Sequence, residues 1–175
     1  ERAKVISCGL GYGMSAGGLA HELDISEPDA EALLEAYFRA FPRIRAFLRE
    51  SAQTALRRGF AETLTGRRLW FTDMRRDGRD ESALSRLAKN MPIQGTSADM
   101  SKLAMGRMVR RFFEEGVDAF LVNMVHDELV VEAAAADADR AAEIVRSSMV
   151  SAGRELLRSV PSEVEVRVGA AWSKT

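Results

Sequence analysis

The segment Val125-His126-Asp127-Glu128-Leu129 places three polar side chains inside the apolar run 119–131. Strand-forming residues on both sides of an ionisable centre predict a β-hairpin whose tip projects carboxylates. In a buried hairpin, adjacent His126, Asp127 and Glu128 each cost desolvation energy unless something binds them, and a divalent metal would supply that partner. The alternative interpretation is that Asp127 only forms the turn.

The composition is that of one domain, or one large piece of a domain. The chain has 175 residues, 46% of them hydrophobic, which is enough to form a core. No apolar run is long enough to span a bilayer and nothing resembles a signal peptide, so we expect no membrane partner. The single cysteine, Cys8, excludes an intramolecular disulfide and favours a reduced, cytoplasmic setting. Since Glu1 already looks like the middle of a helix, we expect the chain to be a fragment.

The net charge of −1 conceals an asymmetry. Residues 61–112 contain 11 Lys and Arg against 6 Asp and Glu, a balance of +5, whereas residues 113–175 contain 6 against 12, a balance of −6. A positive field of this kind suits phosphate neutralisation. The middle of the chain is therefore a candidate surface for a polyanion, although a solvated charged surface explains part of it.

Capping signals predict a helix over 27–40. Ser26 is an N-cap residue, Pro28 lies in the first turn, and Asp29 follows three residues after the cap. The apolar residues of this helix recur at helical spacing. They predict a buried stripe formed by Leu33, Leu34, Tyr37, Phe38 and Phe41.

Turn residues divide the next part of the chain. A second helix should cover 42–58, since a proline opens it and Gly59 ends it. The strands 61–64 and 68–71, joined at Gly66, predict a short hairpin.

The remainder alternates helix and strand. A helix starting near Asp80 should bend or split at Pro92, which cannot donate a helical hydrogen bond, and Gly95 loosens the next turn. A long amphipathic helix is predicted over 138–158 and a strand over 164–168. These elements together indicate the α+β class.

The first residues hold a second constellation. In a helix over 1–11, Lys4, Cys8 and Tyr12 are four residues apart and share one face. The glycines around Tyr12 leave the backbone bare, as is needed where a flat group approaches closely. The alternative is a surface lysine on an ordinary helix.

Three motifs carry a family resemblance. Arg2-Ala3-Lys4 through Gly9, with Tyr12-Gly13 and Met14-Ser15, resembles the fingers-helix motif of family A DNA polymerases, the bacterial DNA polymerase I class. Residues 125–128 are similar to the palm carboxylate motif of that family, and residues 90–99 resemble its segment that contacts the primer–template minor groove. The motifs follow the family's order and spacing over essentially the whole chain.

The resemblance implies a catalytic role for the hairpin. Asp127 would be one of two aspartates that hold a pair of Mg²⁺ ions, with Glu128 as a supporting acid and metal-site neighbour. His126 would lie near the primer terminus and contact the DNA. The other aspartate belongs to a palm motif expected upstream of Glu1, so we expect the isolated chain to be inactive and to need an upstream polymerase segment in cis or in trans.

The resemblance also implies nucleotide and DNA contacts. Lys4 would hold the phosphates of the deoxynucleoside triphosphate and Tyr12 would stack at the insertion position. Cys8 stands where the family usually has Phe or Tyr, at the position that packs on the nucleotide sugar. The minor groove of primer–template DNA would be contacted by Arg86, Asn90 and Gln94.

The fold implied is an antiparallel palm sheet with packed helices, plus the C-terminal part of a helical fingers subdomain. Residues 1–58 would form the fingers part and residues 59–175 the palm part of one incomplete polymerase domain. The implied function is DNA-directed DNA polymerisation in replication or repair, in the cytoplasm near the nucleoid, or in the host cytoplasm if the source is viral. Three alternatives stay open: a single-subunit RNA polymerase, which usually has Ser where Glu128 stands, a non-catalytic DNA-binding remnant, and one subunit of a split polymerase.

Overall fold

A computed structural model describes residues 9, 14–72, 74, 80–125 and 127–172 of the chain. These residues form helices and two antiparallel two-stranded sheets, which confirms the α+β class. The chain divides into two compact units, Glu1–Thr96 and Ser97–Thr175. The predicted division after residue 58 concerns fingers and palm roles, which compactness does not test, so it stays a prediction.

The first unit begins with two helices, α1 (Ala16–Leu23) and α2 (Glu27–Ala40). The predicted bounds of α2 are confirmed, and the Ser26 hydroxyl accepts a hydrogen bond of 3.3 Å from the backbone N–H of Asp29. The predicted buried stripe is wrong in degree. Four of its members are only half-buried and Phe41 is 50% exposed, and α1, with 8 residues, is shorter than the 14 residues of α2.

A third helix and a small hairpin follow. Helix α3 (Pro42–Arg58) ends at Gly59, whose φ of 80° is the left-handed conformation that glycine adopts without strain. Strand β1 (Phe60–Glu62) pairs antiparallel with β2 (Arg68–Trp70), and both are slightly shorter than predicted. Apolar residues of α3 and of this hairpin pack together in the core of the first unit, with Phe71 fully buried.

The predicted break at Pro92 is confirmed and takes the form of a π-helical turn. Helix α4 (Glu81–Asn90) leads into the π segment (Met91–Gly95), and α5 (Thr96–Glu114) continues from it. Pro92 has no N–H to donate to the preceding turn, which removes one α-helical hydrogen bond at that point. Such π turns are rare in proteins, and those that do occur are frequently found at functional sites.

In the second unit, a hairpin packs against helices. Strand β3 (Ala119–Val125) pairs antiparallel with β4 (Glu128–Ala133), a short 3₁₀ turn (Ala135–Asp137) follows, and α6 (Ala138–Leu156) closes the unit. Leu121, Leu129 and Val131 pack against buried residues of α5 and α6.

The expectation that the β3–β4 hairpin is buried is wrong for its outer face, which is exposed. Phe120 is 65% exposed and Val122 is 54% exposed, because the two helices cover one face of the sheet only. The register shifts between Leu121 and Asn123, so Val122 is an extra residue that interrupts the pairing.

The prediction of a strand over 164–168 is wrong, since this segment forms no regular secondary structure. Its side chains alternate as in a strand, with Val164 and Val166 half-buried and Glu165 exposed. A strand requires a ladder with a neighbour, and in the described residues β3 and β4 pair with each other alone. Instead, the carbonyl of Val164 accepts a hydrogen bond of 2.9 Å from Arg146 Nη1 on α6.

Candidate functional site

The tip of the β3–β4 hairpin presents two adjacent carboxylates. Val125 pairs with Glu128, so Asp127 lies in the turn that joins the two strands. Both Asp127 and Glu128 are exposed, as the sequence pattern predicted for a hairpin tip. The third member of the motif, His126, lies outside the described residues.

The two carboxylates differ in their partners. Glu128 Oε1 accepts a hydrogen bond of 2.9 Å from the indole N–H of Trp172, which is 44 positions away in the chain. The Asp127 carboxylate has no hydrogen bond within the described part of the chain. Glu128 is therefore held toward the C-terminal segment, while Asp127 keeps its oxygens available.

The donor chemistry of this tip suits a hard cation. Carboxylate oxygens are the ligands that Mg²⁺ prefers, and this ion is usually bound by one or two protein carboxylates together with phosphates and water. Among the described residues, no group of three His, Cys, Asp or Glu side chains comes together around one point. Asp127 and Glu128 thus fit part of a magnesium site.

The predicted minor-groove residues lie along α4 and the π segment. Arg86 is exposed on α4 and donates a hydrogen bond of 3.1 Å to the Ser82 hydroxyl. Asn90 is half-buried at the end of α4, and Gln94 is exposed in the π segment. Two of the three predicted residues therefore present their side chains to solvent.

The π segment is anchored by contacts that the sequence analysis missed. The Thr96 hydroxyl donates to the carbonyl of Pro92 at 2.6 Å and accepts from the backbone N–H of Leu64 at 3.0 Å. Arg67 Nη2 donates to the carbonyl of Gly95 at 2.8 Å. These bonds attach the segment that carries Gln94 to the β1–β2 hairpin. The only sequence signal for these bonds is that Arg67 and Thr96 each directly follow a glycine.

Gly95 is required by the same contact. A Cβ atom built there would lie 2.5 Å from Thr63 Cγ2 and 2.9 Å from Met91 Sδ. Thr63 and Thr96 are both buried, so the approach of the two segments is close. A glycine at position 95 therefore permits the π segment to rest on the hairpin.

The remaining predicted site residues, Lys4, Cys8 and Tyr12, also lie outside the described residues. Arg75, Arg76 and Arg79, which belong to the basic stretch 61–112, also lie outside the described residues. Of the other basic residues, three are ion-paired with carboxylates: Arg68 with Glu62, Arg107 with Glu155, and Arg111 with Glu115. The positive field of the middle segment is thus partly neutralised, as expected for a solvated surface.

No helix in the described ranges is both long enough and apolar enough to cross a membrane.

Comparison with known proteins extends along nearly the whole chain. The model of DNA polymerase family A matches residues 1–174. The thermostable DNA polymerase I of Thermus aquaticus is 42% identical over 173 residues, which are 97% of this chain and 20% of that protein. The DNA polymerase I of Chloroflexus aurantiacus is 38% identical over 172 residues, which are 98% of this chain and 18% of that protein.

A solved structure agrees with these relatives. The POL domain of Pol1 from M. smegmatis, in complex with DNA primer-template and dNTP, is 35% identical and superposes with a TM-score of 0.77. The match covers 86% of this chain and 27% of that chain. This chain spans about a fifth of the length of the curated relatives that it matches. The resemblance predicted from the motifs is confirmed, and the chain belongs to DNA polymerase family A.

Proposed function

We propose that this chain forms part of the catalytic and DNA-contacting region of a DNA-directed DNA polymerase that acts in replication or repair. The observation that carries the proposal is the exposed Asp127 carboxylate in the β3–β4 turn, beside a Glu128 that Trp172 holds. The names of the relatives, and the primer-template and dNTP in the similar structure, support primer–template DNA and deoxynucleoside triphosphates as partners.

In this proposal, Asp127 binds the catalytic cation and Glu128 supports it from the first residue of β4. A pair of Mg²⁺ ions, when bound, would lower the pKa of the primer 3′-hydroxyl and stabilise charge on the phosphates. The family resemblance suggests that the carboxylates completing the site come from another polymerase segment, in cis or in trans. To this site Asp127 contributes an exposed carboxylate that accepts no hydrogen bond from a described residue.

The DNA contacts are proposed for α4 and the π segment. Arg86, Asn90 and Gln94 donate to purine N3 and pyrimidine O2, acceptors that look alike in every correct pair. Readout of this kind suits an enzyme that must copy any sequence. The exposed positions of Arg86 and Gln94, and the bonds that hold the π segment, support this assignment.

The nucleotide contacts rest on the family resemblance. Lys4 binds the triphosphate, Cys8 packs against the sugar, Tyr12 stacks at the insertion position, and His126 contacts the primer terminus. Residues 1–58 act as the distal fingers and residues 59–175 as the palm portion. The working environment is the bacterial cytoplasm near the nucleoid, or the host cytoplasm if the source is viral.

The proposal is tested by primer extension with a chimera. This chain replaces the matching segment of the Thermus aquaticus polymerase, and the parent enzyme and the isolated chain are assayed in parallel. The chimera should extend a primer in Mg²⁺ and the isolated chain should not. A folded chimera without extension would refute the proposed function, and extension by the isolated chain would refute the incomplete carboxylate set.

A further inference from the structure

A groove lies between α5 and α6 in the second unit, and none of its lining residues is one that we propose for polymerisation. Its volume is about 450 Å³, within the range of roughly 300–1,000 Å³ that is common for small-ligand sites. Four cationic side chains line it, and no carboxylate is among its described lining residues. The four cations are Lys102, Arg107, Arg110 and Arg111.

Two of these arginines are fixed across the groove. Arg107 Nη1 donates to the Ser151 hydroxyl at 2.6 Å, and Arg111 Nη1 donates to the Ser147 hydroxyl at 2.7 Å. Both bonds run from α5 to α6, so the guanidinium groups are ordered before any ligand arrives. A guanidinium has five N–H donors, and each of these arginines keeps donors that its described bonds do not use. Such preorganisation reduces the entropy lost on binding.

The groove retains a positive charge after its ion pairs are counted. Glu155 and Glu115 neutralise the two bridging arginines. Lys102 and Arg110 are exposed and form no ion pair with any described residue. Two like charges beside one groove, with no counter-ion from the described chain, favour an anion between them.

A buried hydroxyl among the lining residues also favours a ligand that can accept or donate a hydrogen bond. Ser148 lies on α6 among the lining residues and is 3% exposed, and its Oγ has no hydrogen-bond partner in the described structure. Ser147, the neighbouring residue, donates to the carbonyl of Glu143 at 2.6 Å as helical serines commonly do. A buried hydroxyl without a partner costs stability, so a ligand oxygen at this position would satisfy it.

We infer that the α5–α6 groove binds a phosphoryl group. Guanidinium groups match the oxygens of phosphate in a bidentate manner, and a tetrahedral phosphoryl group has oxygens left for a lysine and a hydroxyl. A free diphosphate and the backbone of DNA share this chemistry. The site is separate from the hairpin tip and does not depend on the proposed polymerase activity.

The test is a titration of the full chain with sodium pyrophosphate by calorimetry and with primer–template DNA by fluorescence anisotropy. The groove variant is Lys102→Gln/Arg110→Gln. The matched control is Arg154→Gln/Arg158→Gln, which removes two exposed arginines that do not line the groove. A third variant, Ser148→Ala, removes the buried hydroxyl.

Pyrophosphate should bind at one saturable site, weakened about tenfold by the groove variant, by a smaller factor in Ser148→Ala, and unchanged in the control. The melting temperature of Ser148→Ala should not fall, because an unpaired hydroxyl is replaced by a methyl group. If pyrophosphate does not saturate but the groove variant and Ser148→Ala both weaken DNA binding more than the control does, the phosphoryl group is that of the DNA backbone. The inference is overturned if groove and control variants behave alike toward both ligands, or if Ser148→Ala binds both as the parent does.

Discussion

At the hairpin tip, neighbouring carboxylates have different surroundings. Glu128 accepts a hydrogen bond from the Trp172 indole, and Asp127 has no such bond among the described residues. The difference follows from geometry, since Asp127 lies in the turn and Glu128 is the first residue of β4. This difference supports our proposal that Asp127 binds the cation and that Glu128 has a supporting role.

The bond between Glu128 and Trp172 makes a testable coupling. Trp172→Phe and Glu128→Ala should each lower the stability of the chain slightly, because an exposed hydrogen bond contributes only about 0.5–1.5 kcal/mol. The double variant should cost less than the sum of the single variants. Urea unfolding of the four proteins measures this coupling. Strict additivity would show that the two side chains do not interact in solution.

Among the helices and strands, the features set by neighbouring residues could be predicted, and those set by distant residues could not. The start of α2 follows from Ser26 and Pro28, which act within one turn. The anchoring of the π segment depends on Thr96, whose hydroxyl accepts a hydrogen bond from the backbone N–H of Leu64, 32 residues away, so sequence spacing could not reveal it. The prediction of a strand over 164–168 was wrong for a related reason. Alternating polar and apolar residues do not supply the neighbouring strand that a ladder requires.

In the candidate site, too, the local features could be predicted and the long-range contacts could not. The position of Asp127 in a turn could be predicted, since polar residues between two apolar strands form a local pattern. The anchor of Glu128 could not, because Trp172 is 44 positions away and no spacing rule connects them. The bonds that Arg67 and Thr96 make to the π segment were missed for the same reason.

The packing of the π segment on the β1–β2 hairpin predicts opposite effects for two glycine substitutions. Gly95→Ala should destabilise the chain by about 1–3 kcal/mol, since its Cβ would meet Thr63 Cγ2 at 2.5 Å. Gly106→Ala in α5 meets nothing within 4 Å and should stabilise by up to about 1 kcal/mol through helix propensity. Urea unfolding midpoints compare them. Equal effects of the two substitutions would contradict the close approach at Gly95.

At the scale of the whole chain, charge separates the middle segment from the C-terminal segment. The balance of +5 over 61–112 and −6 over 113–175 gives a chain that is nearly neutral overall and locally basic. Ion pairs at Arg68, Arg107 and Arg111 reduce the field. The proposed DNA contacts of the first unit therefore depend on cations such as Arg86, which forms no ion pair with a described residue.

The affinity of the chain for primer–template DNA should fall with salt. Each phosphate contact contributes about −0.9 to the slope of log K against log salt concentration. Arg86→Gln should weaken binding and, if the guanidinium also neutralises a phosphate, reduce the slope by about one. Fluorescence anisotropy over a range of salt measures both. Arg49→Gln on α3, which is also an exposed arginine, is the control, and an identical loss in both variants would remove Arg86 from the interface.

The central claim is that Asp127 binds the catalytic cation and does not merely form the turn. The direct measurement is single-turnover incorporation by the chimeric polymerase, comparing Asp127→Asn with Glu132→Gln, an exposed carboxylate at the other end of the same hairpin. Asparagine keeps the turn-forming shape and loses the charge, and DNA affinity should persist because phosphate contacts dominate it. We predict that Asp127→Asn abolishes incorporation with unchanged primer–template binding, while Glu132→Gln retains the parent rate. Incorporation by Asp127→Asn at the parent rate in Mg²⁺ would contradict the account.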